Sequence, residues 1–191
     1  MGEPVFRKKY TYTDYLEWPE GERVELIDGQ PVYMSPAPSR KHQVVSRELI
    51  RKFGNYLDGN RCEVFDAPFD VRLFAEAREN DEVENVVQPD LVVFCDPEKL
   101  DDKGGKGTPD LVIEILSTST AKIDKLTKKS LYEKAGVKEY WVVDPVHELL
   151  EVYLLKDDGK YGEYQLYSKE DTVPVNIFPD LTIDLDKIFL P

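Results

Sequence analysis

One strand–helix–strand unit constrains the fold more than any other part of the sequence. Residues 111–116 (LVIEIL) are an apolar run typical of a buried strand, STSTAK predicts a helix start, and residues 137–143 (VKEYWVV) predict the next strand. The helix is expected to end at Ala135, with Gly136 as its C-cap. Two strands joined by a helix within about 35 residues are normally parallel, with a right-handed crossover. The unit therefore predicts a sheet with a parallel pair and a helix on one face.

The rest of the chain predicts further strands and one long helix. Asp28-Gly29 is a two-residue hairpin signal between residues 23–27 and 30–34, and Ser39 begins a stretch with apolar residues at helical spacing. A short helix is expected over residues 13–18, capped by Thr13, and an extended segment over residues 62–74, broken near Pro68. One buried strand (86–94), a loop (96–109) and a last hairpin around Asp158-Gly159, followed by a C-terminal tail, complete the pattern. This pattern predicts an α/β chain, with a mixed sheet and flanking helices, in a single domain over residues 1–191.

Composition excludes several classes of protein. The chain has 191 residues, 41% of them apolar, and no run approaches the roughly 18 apolar residues of a membrane span. The N-terminal sequence MGEPVFRKKY lacks the apolar region of a secretion signal. Cys62 and Cys95 are far apart and form no CxxC pair, so neither a disulfide framework nor a structural zinc site is expected. These features favour a reducing cytoplasm.

The charge distribution argues against non-specific binding to nucleic acid. The net charge is −13, whereas such binding draws its affinity from the neutralisation of phosphates. Lysines and arginines do concentrate on the two predicted helices. Each group, taken alone, is better explained as a solvated helix face.

Glu114 is the most informative residue, because it interrupts an otherwise apolar strand. A buried carboxylate without a partner costs several kcal/mol, so it needs a cation, a metal ion or a proton. A structural salt bridge to a lysine explains it about as well as a functional site does.

Two copies of PDLV offer an aspartate to join Glu114. Asp110 lies four residues before Glu114 in the same strand, which separates their Cα atoms by ~13 Å, too far to share one Mg²⁺. Asp90 belongs to the other copy. If the two strands are neighbours, ~4.8 Å apart, Asp90 can lie opposite Glu114. The geometry favours Asp90 and Glu114 as metal ligands, whereas Asp110 is expected to open its strand.

Lys128 completes the candidate site. It lies on the crossover helix with Asp124 at i−4 and Tyr132 at i+4, so the three side chains share one face. The helix follows the Glu114 strand directly, and Lys128 can therefore reach back over the end of that strand. An ordinary surface lysine paired with Asp124 is the alternative, and Lys125 and Lys129 are competitors.

The ordered set of motifs resembles the Uma-two family of the PD-(D/E)-x-K, restriction-endonuclease-like superfamily. The similarity runs from about Tyr12 to the C-terminal hairpin. It is carried by MSPAPSRKHQVVSREL, APFDVRL, QPDLVVF, PDLVIEILSTST and AGVKEYWVVDP, together with Asp124, Lys128 and Tyr132.

This resemblance implies a restriction-endonuclease-like core and Mg²⁺-dependent hydrolysis of phosphodiester bonds, with Mn²⁺ as a substitute. Asp90 and Glu114 would be the motif carboxylates, the backbone carbonyl of Ile115 a further metal ligand, and Lys128 the catalytic lysine, supported by Asp124 and Tyr132. The implied substrate is nucleic acid, DNA in the first place, and members of the superfamily often form dimers.

One departure from the motif keeps other functions open. Leu116 stands where the superfamily has its lysine, and the family places that lysine on the following helix instead. A nuclease fold that no longer cleaves, and serves as a binding or assembly module, is the main alternative. A metal-dependent hydrolase of another phosphate ester is the third.

Overall fold

The computed structural model describes residues 8–19, 23–34, 37–117 and 120–190. Three α-helices are present in these ranges: α1 (Tyr12–Leu16), α2 (Arg40–Leu57) and α3 (Lys129–Ala135). The strands in these ranges are β1 (Val24–Ile27), β2 (Gln30–Tyr33), β3 (Glu63–Asp66), β4 (Val71–Arg72), β5 (Val86–Val87), β6 (Leu91–Phe94), β7 (Leu100–Asp101), β8 (Gly104–Lys106), β9 (Leu111–Ile115), β10 (Glu139–Asp144), β11 (Leu149–Leu154), β12 (Gln165–Ser168), β13 (Thr172–Pro174) and β14 (Thr182–Asp184).

The predicted crossover unit forms the middle of a six-stranded mixed sheet, here called the central sheet. Its strand order is β12-β11-β10-β9-β6-β3. Strands β9 and β10 are parallel, with Glu114 opposite Val142, and the helical segment between them ends at Gly136 in the left-handed conformation. Strand β6 pairs antiparallel with β9, so the two PDLV segments are neighbours. The mixed α+β fold class and the parallel pair are confirmed.

A second six-stranded sheet has the order β2-β1-β5-β4-β8-β7. The hairpin at Asp28-Gly29 is confirmed, with both turn residues at positive φ. The single strand predicted over residues 86–94 is wrong. It is two strands, β5 in the second sheet and β6 in the central sheet, because Gln88-Pro89-Asp90 carries the chain from one sheet to the other.

The central sheet separates two apolar clusters, and alternation along each strand assigns side chains to one cluster or the other. Leu111, Ile113 and Ile115 of β9 pack with helix α2 and the C-terminal residues 173–189. Val112 belongs to the other cluster, which includes α3 and residues of the second sheet. Glu114 shares the face of Val112, so its carboxylate lies between the two sheets.

Three local expectations are corrected. Helix α1 is capped by Thr11 rather than Thr13, because Asp14 at the third helical position accepts the Thr11 N–H and completes a capping box. The segment predicted as a loop over residues 96–109 contains the β7–β8 hairpin. The C-terminal tail contributes the β13–β14 hairpin, and Ile183 and Phe189 on this tail are buried in the core.

The cysteine prediction is also wrong, because Cys62 and Cys95 form a disulfide. Antiparallel pairing of Glu63 with Phe94 brings these distant residues side by side at the ends of β3 and β6. The argument from cysteine usage for a reducing compartment therefore no longer holds. In the ranges that the structure describes, no helix is both long enough and apolar enough to span a membrane.

Candidate active site

Asp90 and Glu114 meet across two neighbouring strands. The register pairs Leu91 with Ile113, and its continuation by one residue places Asp90 opposite Glu114. Both carboxylates line a cleft of ≈ 180 Å³ between the central sheet, the β1–β2 hairpin and the start of α2. The expected geometric relation between these two residues is therefore present in the structure.

The Asp90 carboxylate is held at both oxygens. Its Oδ2 accepts a hydrogen bond from the backbone N–H of Ile115 at 2.8 Å, which attaches it to the end of β9. Its Oδ1 lies 3.3 Å from Nε2 of His42, a buried residue in the first turn of α2. Contacts on both sides restrict the side chain to one orientation before any ligand arrives.

Lys128 is a buried cation surrounded by carboxylates. Its Nζ donates to Glu114 Oε1 at 2.9 Å, lies 2.9 Å from Glu25 Oε1 and lies 3.8 Å from Asp124 Oδ1. Its ammonium group is thus the point at which residues of the two sheets and the crossover helix meet. Of the lysines on this helix, Lys125 instead pairs with Glu151, and Lys129 lies over the ring of Tyr153.

The crossover helix delivers Lys128 in a π-helical segment, Ile123–Lys128, that continues into α3. Such segments are rare and often occur at functional sites. Asp124 and Lys128 are both buried in this segment, and Tyr132 follows one turn later. The hydroxyl of Tyr132 donates to Glu114 Oε1 at 2.7 Å, so Lys128 and Tyr132 both bind the same carboxylate oxygen.

The cleft holds more negative than positive charge. Burial raises the pKa of Glu114 well above its usual value; Lys128 opposes this effect, while the nearby Asp124, Asp90 and Glu25 add to it. Burial likewise raises the pKa of Asp124 to about 6, against the opposing effect of Lys128. Burial alone would lower the pKa of Lys128, but Glu114, Glu25 and Asp124 outweigh it and raise that pKa, so Lys128 stays protonated.

This charge imbalance fits a bound divalent cation. Among the described residues, five carboxylates, those of Glu25, Asp66, Asp90, Glu114 and Asp124, line the cleft beside one buried ammonium group. Carboxylate and carbonyl oxygens are the ligands that Mg²⁺ accepts. Within the described ranges, no three His, Cys, Asp or Glu side chains are grouped as a ready metal site, so the two predicted carboxylates would need the Ile115 carbonyl, substrate or water as further ligands.

The second PDLV aspartate lies outside the cleft. Asp110 accepts hydrogen bonds from the Cys95 backbone N–H at 2.8 Å and from Lys138 Nζ at 2.7 Å. It therefore ties the start of β9 to the end of β6 and to the residue before β10, in keeping with the expectation that it opens its strand. Thr118 and Ser119, part of the predicted helix start, lie outside the described residues.

The sequence analysis did not identify two residues of the site, Glu25 and His42. Glu25 lies in the first strand of the predicted hairpin and His42 near the start of the predicted long helix; both are buried and line the cleft. The backbone N–H of Gln88 donates to Glu25 Oε1 at 2.8 Å and so holds that carboxylate near Lys128. The available signal was a charged residue inside the apolar strand VELI, the same signal that identified Glu114.

Comparisons with known proteins identify the family and the fold of the chain. The sequence model of the Uma2 family, described as "Putative restriction endonuclease", matches residues 12–186. Two uncharacterized proteins of Synechocystis sp. are similar: one is 31% identical over 156 residues (80% of this chain, 78% of the relative), the other 28% over 159 residues (81% and 85%). The crystal structure of a "putative nuclease belonging to DUF820" from Anabaena variabilis has a TM-score of 0.73 at 21% identity, covering 94% of this chain and 97% of that one. At this identity the structural similarity is one of fold.

Proposed function

The chain belongs to the Uma2 family, and from this premise we propose that it is a Mg²⁺-dependent endonuclease that hydrolyses phosphodiester bonds of DNA. The observation that carries the proposal is the convergence of Asp90, Glu114 and Lys128 in one cleft. Restriction-endonuclease-like families generally use divalent metal ions. The excess of carboxylates in the cleft supports the same requirement here.

The residues that would hold the metal are Asp90 and Glu114, with the backbone carbonyl of Ile115. A bound Mg²⁺ would supply Lewis-acid stabilisation of the phosphate and a lowered pKa for a bound water. Asp90 is already oriented by Ile115 N–H and His42, so little reorganisation is needed on binding. Lys128, kept protonated by its neighbours, would offset negative charge that develops on the phosphate.

Asp124 and Tyr132 act on the site through Glu114 and Lys128. Tyr132 donates to Glu114 Oε1 and thereby fixes the rotamer of this carboxylate. Asp124 holds the Lys128 ammonium from the same helix, while Glu25 holds it from the opposite sheet. We treat Tyr132, Asp124 and Glu25 as positioning residues. We further propose that residues 1–191 form one domain.

The direct test is cleavage of supercoiled plasmid and of single-stranded DNA in Mg²⁺ or Mn²⁺. Asp90→Asn and Glu114→Gln should each lower the rate about 100-fold or more, because several kcal/mol of transition-state stabilisation depend on the metal. Asp110→Asn is the matched control, since it changes the other PDLV aspartate outside the cleft, and it should cleave like the wild type. Equal residual activity in Asp90→Asn and wild type would overturn the proposal.

A second function is favoured by one specific observation. Leu116 is buried in the apolar cluster of α3, so no lysine stands at the superfamily position in the strand. Leucine at this position and the net charge of −13 together favour a nuclease fold that binds or assembles with a partner without cleaving nucleic acid. Calorimetric titration with Mn²⁺ separates the two functions: binding that Asp90→Asn abolishes supports the enzyme, and no binding supports the module.

A cytoplasmic location and a homodimer stay predictions.

A further inference from the structure

The reacting groups of the cleft lie below its surface. The side chains of Glu114 and Lys128 are 4% and 5% exposed, and only Asp90, at 22%, is open to solvent. The β1–β2 hairpin stands on one side, since Glu25 reaches Lys128 from it, and the first turns of α2 stand on the other, with His42. A phosphodiester must enter between these walls to reach the carboxylates.

A double helix cannot readily bring its phosphate to this depth. Its phosphates are carried on a wide, stiff cylinder that the paired strand keeps from bending sharply, so it fits a cleft of ≈ 180 Å³ poorly. The large negative charge of the protein also opposes a duplex, which carries one phosphate charge per ≈ 1.7 Å of helix axis. An unpaired strand has half this charge density and can bend into the opening.

Arg23 is the cation positioned to meet such a strand. It is exposed, it lines the cleft, and in the described part of the chain it is the one exposed Lys or Arg among the lining residues. Its backbone carbonyl accepts from Met34 N–H at 2.9 Å, which extends the β1–β2 ladder by one pair. Because side chains alternate along a strand, Arg23 projects on the same side as Glu25, toward the cleft.

We propose that the substrate is an unpaired nucleic-acid strand, and that Arg23 binds a phosphate next to the scissile one at the mouth of the cleft. This inference rests on the proposed nuclease function and narrows its substrate class. The groups below Arg23 are mainly carboxylates, so binding uses few phosphate contacts. Its affinity should therefore depend only weakly on salt.

The test measures binding by fluorescence anisotropy with wild-type protein in Ca²⁺. The probes are a labelled oligonucleotide, the same oligonucleotide in a blunt duplex, and a duplex with an unpaired overhang. The single strand and the overhang should bind at least about tenfold more tightly than the blunt duplex. Arg23→Gln should weaken single-strand binding about tenfold and reduce the slope of log K against log salt by about 0.7, the value for one phosphate contact.

Arg78→Gln is the matched control, because it removes the same charge from an exposed site outside the cleft lining. It should leave both affinity and slope unchanged. Equal or tighter binding of the blunt duplex, or identical effects of Arg23→Gln and Arg78→Gln, would overturn the inference.

Cleavage of the same probes in Mg²⁺ and Mn²⁺ separates this inference from the proposed function. Cleavage of the blunt duplex at the rate of the single strand refutes the inference and leaves the nuclease in place. Arg23-dependent binding of single strands without any cleavage supports the inference that the cleft binds an unpaired strand, but refutes the proposed nuclease function.

Discussion

Asp124→Asn should stabilise the protein at alkaline pH. Asp124 is 2% exposed, and burial raises its pKa from 3.8 to about 6 despite the neighbouring Lys128. A carboxyl group whose pKa is raised by folding binds its proton more tightly in the folded state, so its ionisation lowers stability as pH rises. Each tenfold change in proton affinity is worth about 1.4 kcal/mol, which makes the ionised side chain destabilising by about 3 kcal/mol at pH 8.

The assay is urea unfolding of both proteins in EDTA, at several values from pH 8 to pH 5. The free energy of unfolding of Asp124→Asn should exceed that of the wild type by about 3 kcal/mol at pH 8 and by about 1.5 kcal/mol at pH 5, where much of Asp124 is already protonated in the folded state. A constant difference across this range, or a less stable variant at pH 8, would refute the reasoning.

Asp144→Asn provides a control of opposite sign. Partial burial acts to raise the pKa of Asp144, but hydrogen bonds from His147 and from the Val146 backbone outweigh it and lower that pKa. The ionised form therefore stabilises the folded state at neutral pH, and this contribution is lost as pH falls. Asp144→Asn should accordingly be less stable than wild type by an amount that stays nearly constant from pH 8 to pH 5 and shrinks only as pH falls below about 4, where the unfolded state binds protons.

Three further outcomes are expected. Mn²⁺ at 100 times its Kd should stabilise the wild type by about 2.7 kcal/mol, a rise in Tm of about 5–10 °C that Asp90→Asn abolishes; an equal rise in both would place the metal elsewhere. Glu25→Gln removes one of the two carboxylates 2.9 Å from Lys128. It should reduce cleavage about tenfold with little change in Mn²⁺ affinity by calorimetry, and wild-type activity would contradict a positioning role. Tyr132→Phe removes one of the two buried hydrogen bonds to Glu114 Oε1 and should lower the free energy of unfolding in urea by about 1–3 kcal/mol, so an unchanged value would show that this bond contributes nothing.

The core of the site was predictable because it depends on short-range rules. Strand spacing alone selects Asp90, rather than Asp110, as the neighbour of Glu114, and the observed register agrees with that choice. Helical periodicity placed Asp124, Lys128 and Tyr132 on one face, and the structure brings all three to Glu114 or to one another. These arguments need only the neighbouring strand and the helix that follows it.

The missed parts depend on contacts between distant segments. Glu25 reaches Lys128 only because the second sheet packs over the central one, and no local pattern specifies how two sheets pack. Cys62 and Cys95 become neighbours through the pairing of β3 with β6, which the sequence separation of 33 residues does not reveal. The division of residues 86–94 between two sheets has the same origin, since both halves are apolar and β-branched.

The position of Lys128 explains how the site can lack a lysine at residue 116. A lysine there would have to project from a buried strand into the apolar cluster that Leu116 now fills. Lys128 instead reaches the site from the crossover helix. Its ammonium group contacts Glu114 of the central sheet and Glu25 of the second sheet. Removing either carboxylate would leave the charge still paired, whereas removing Lys128 would leave buried carboxylates without a cation. The arrangement therefore makes the fold depend on Lys128 more than on any single acid, and it accounts for an ionised lysine in the interior of an acidic protein.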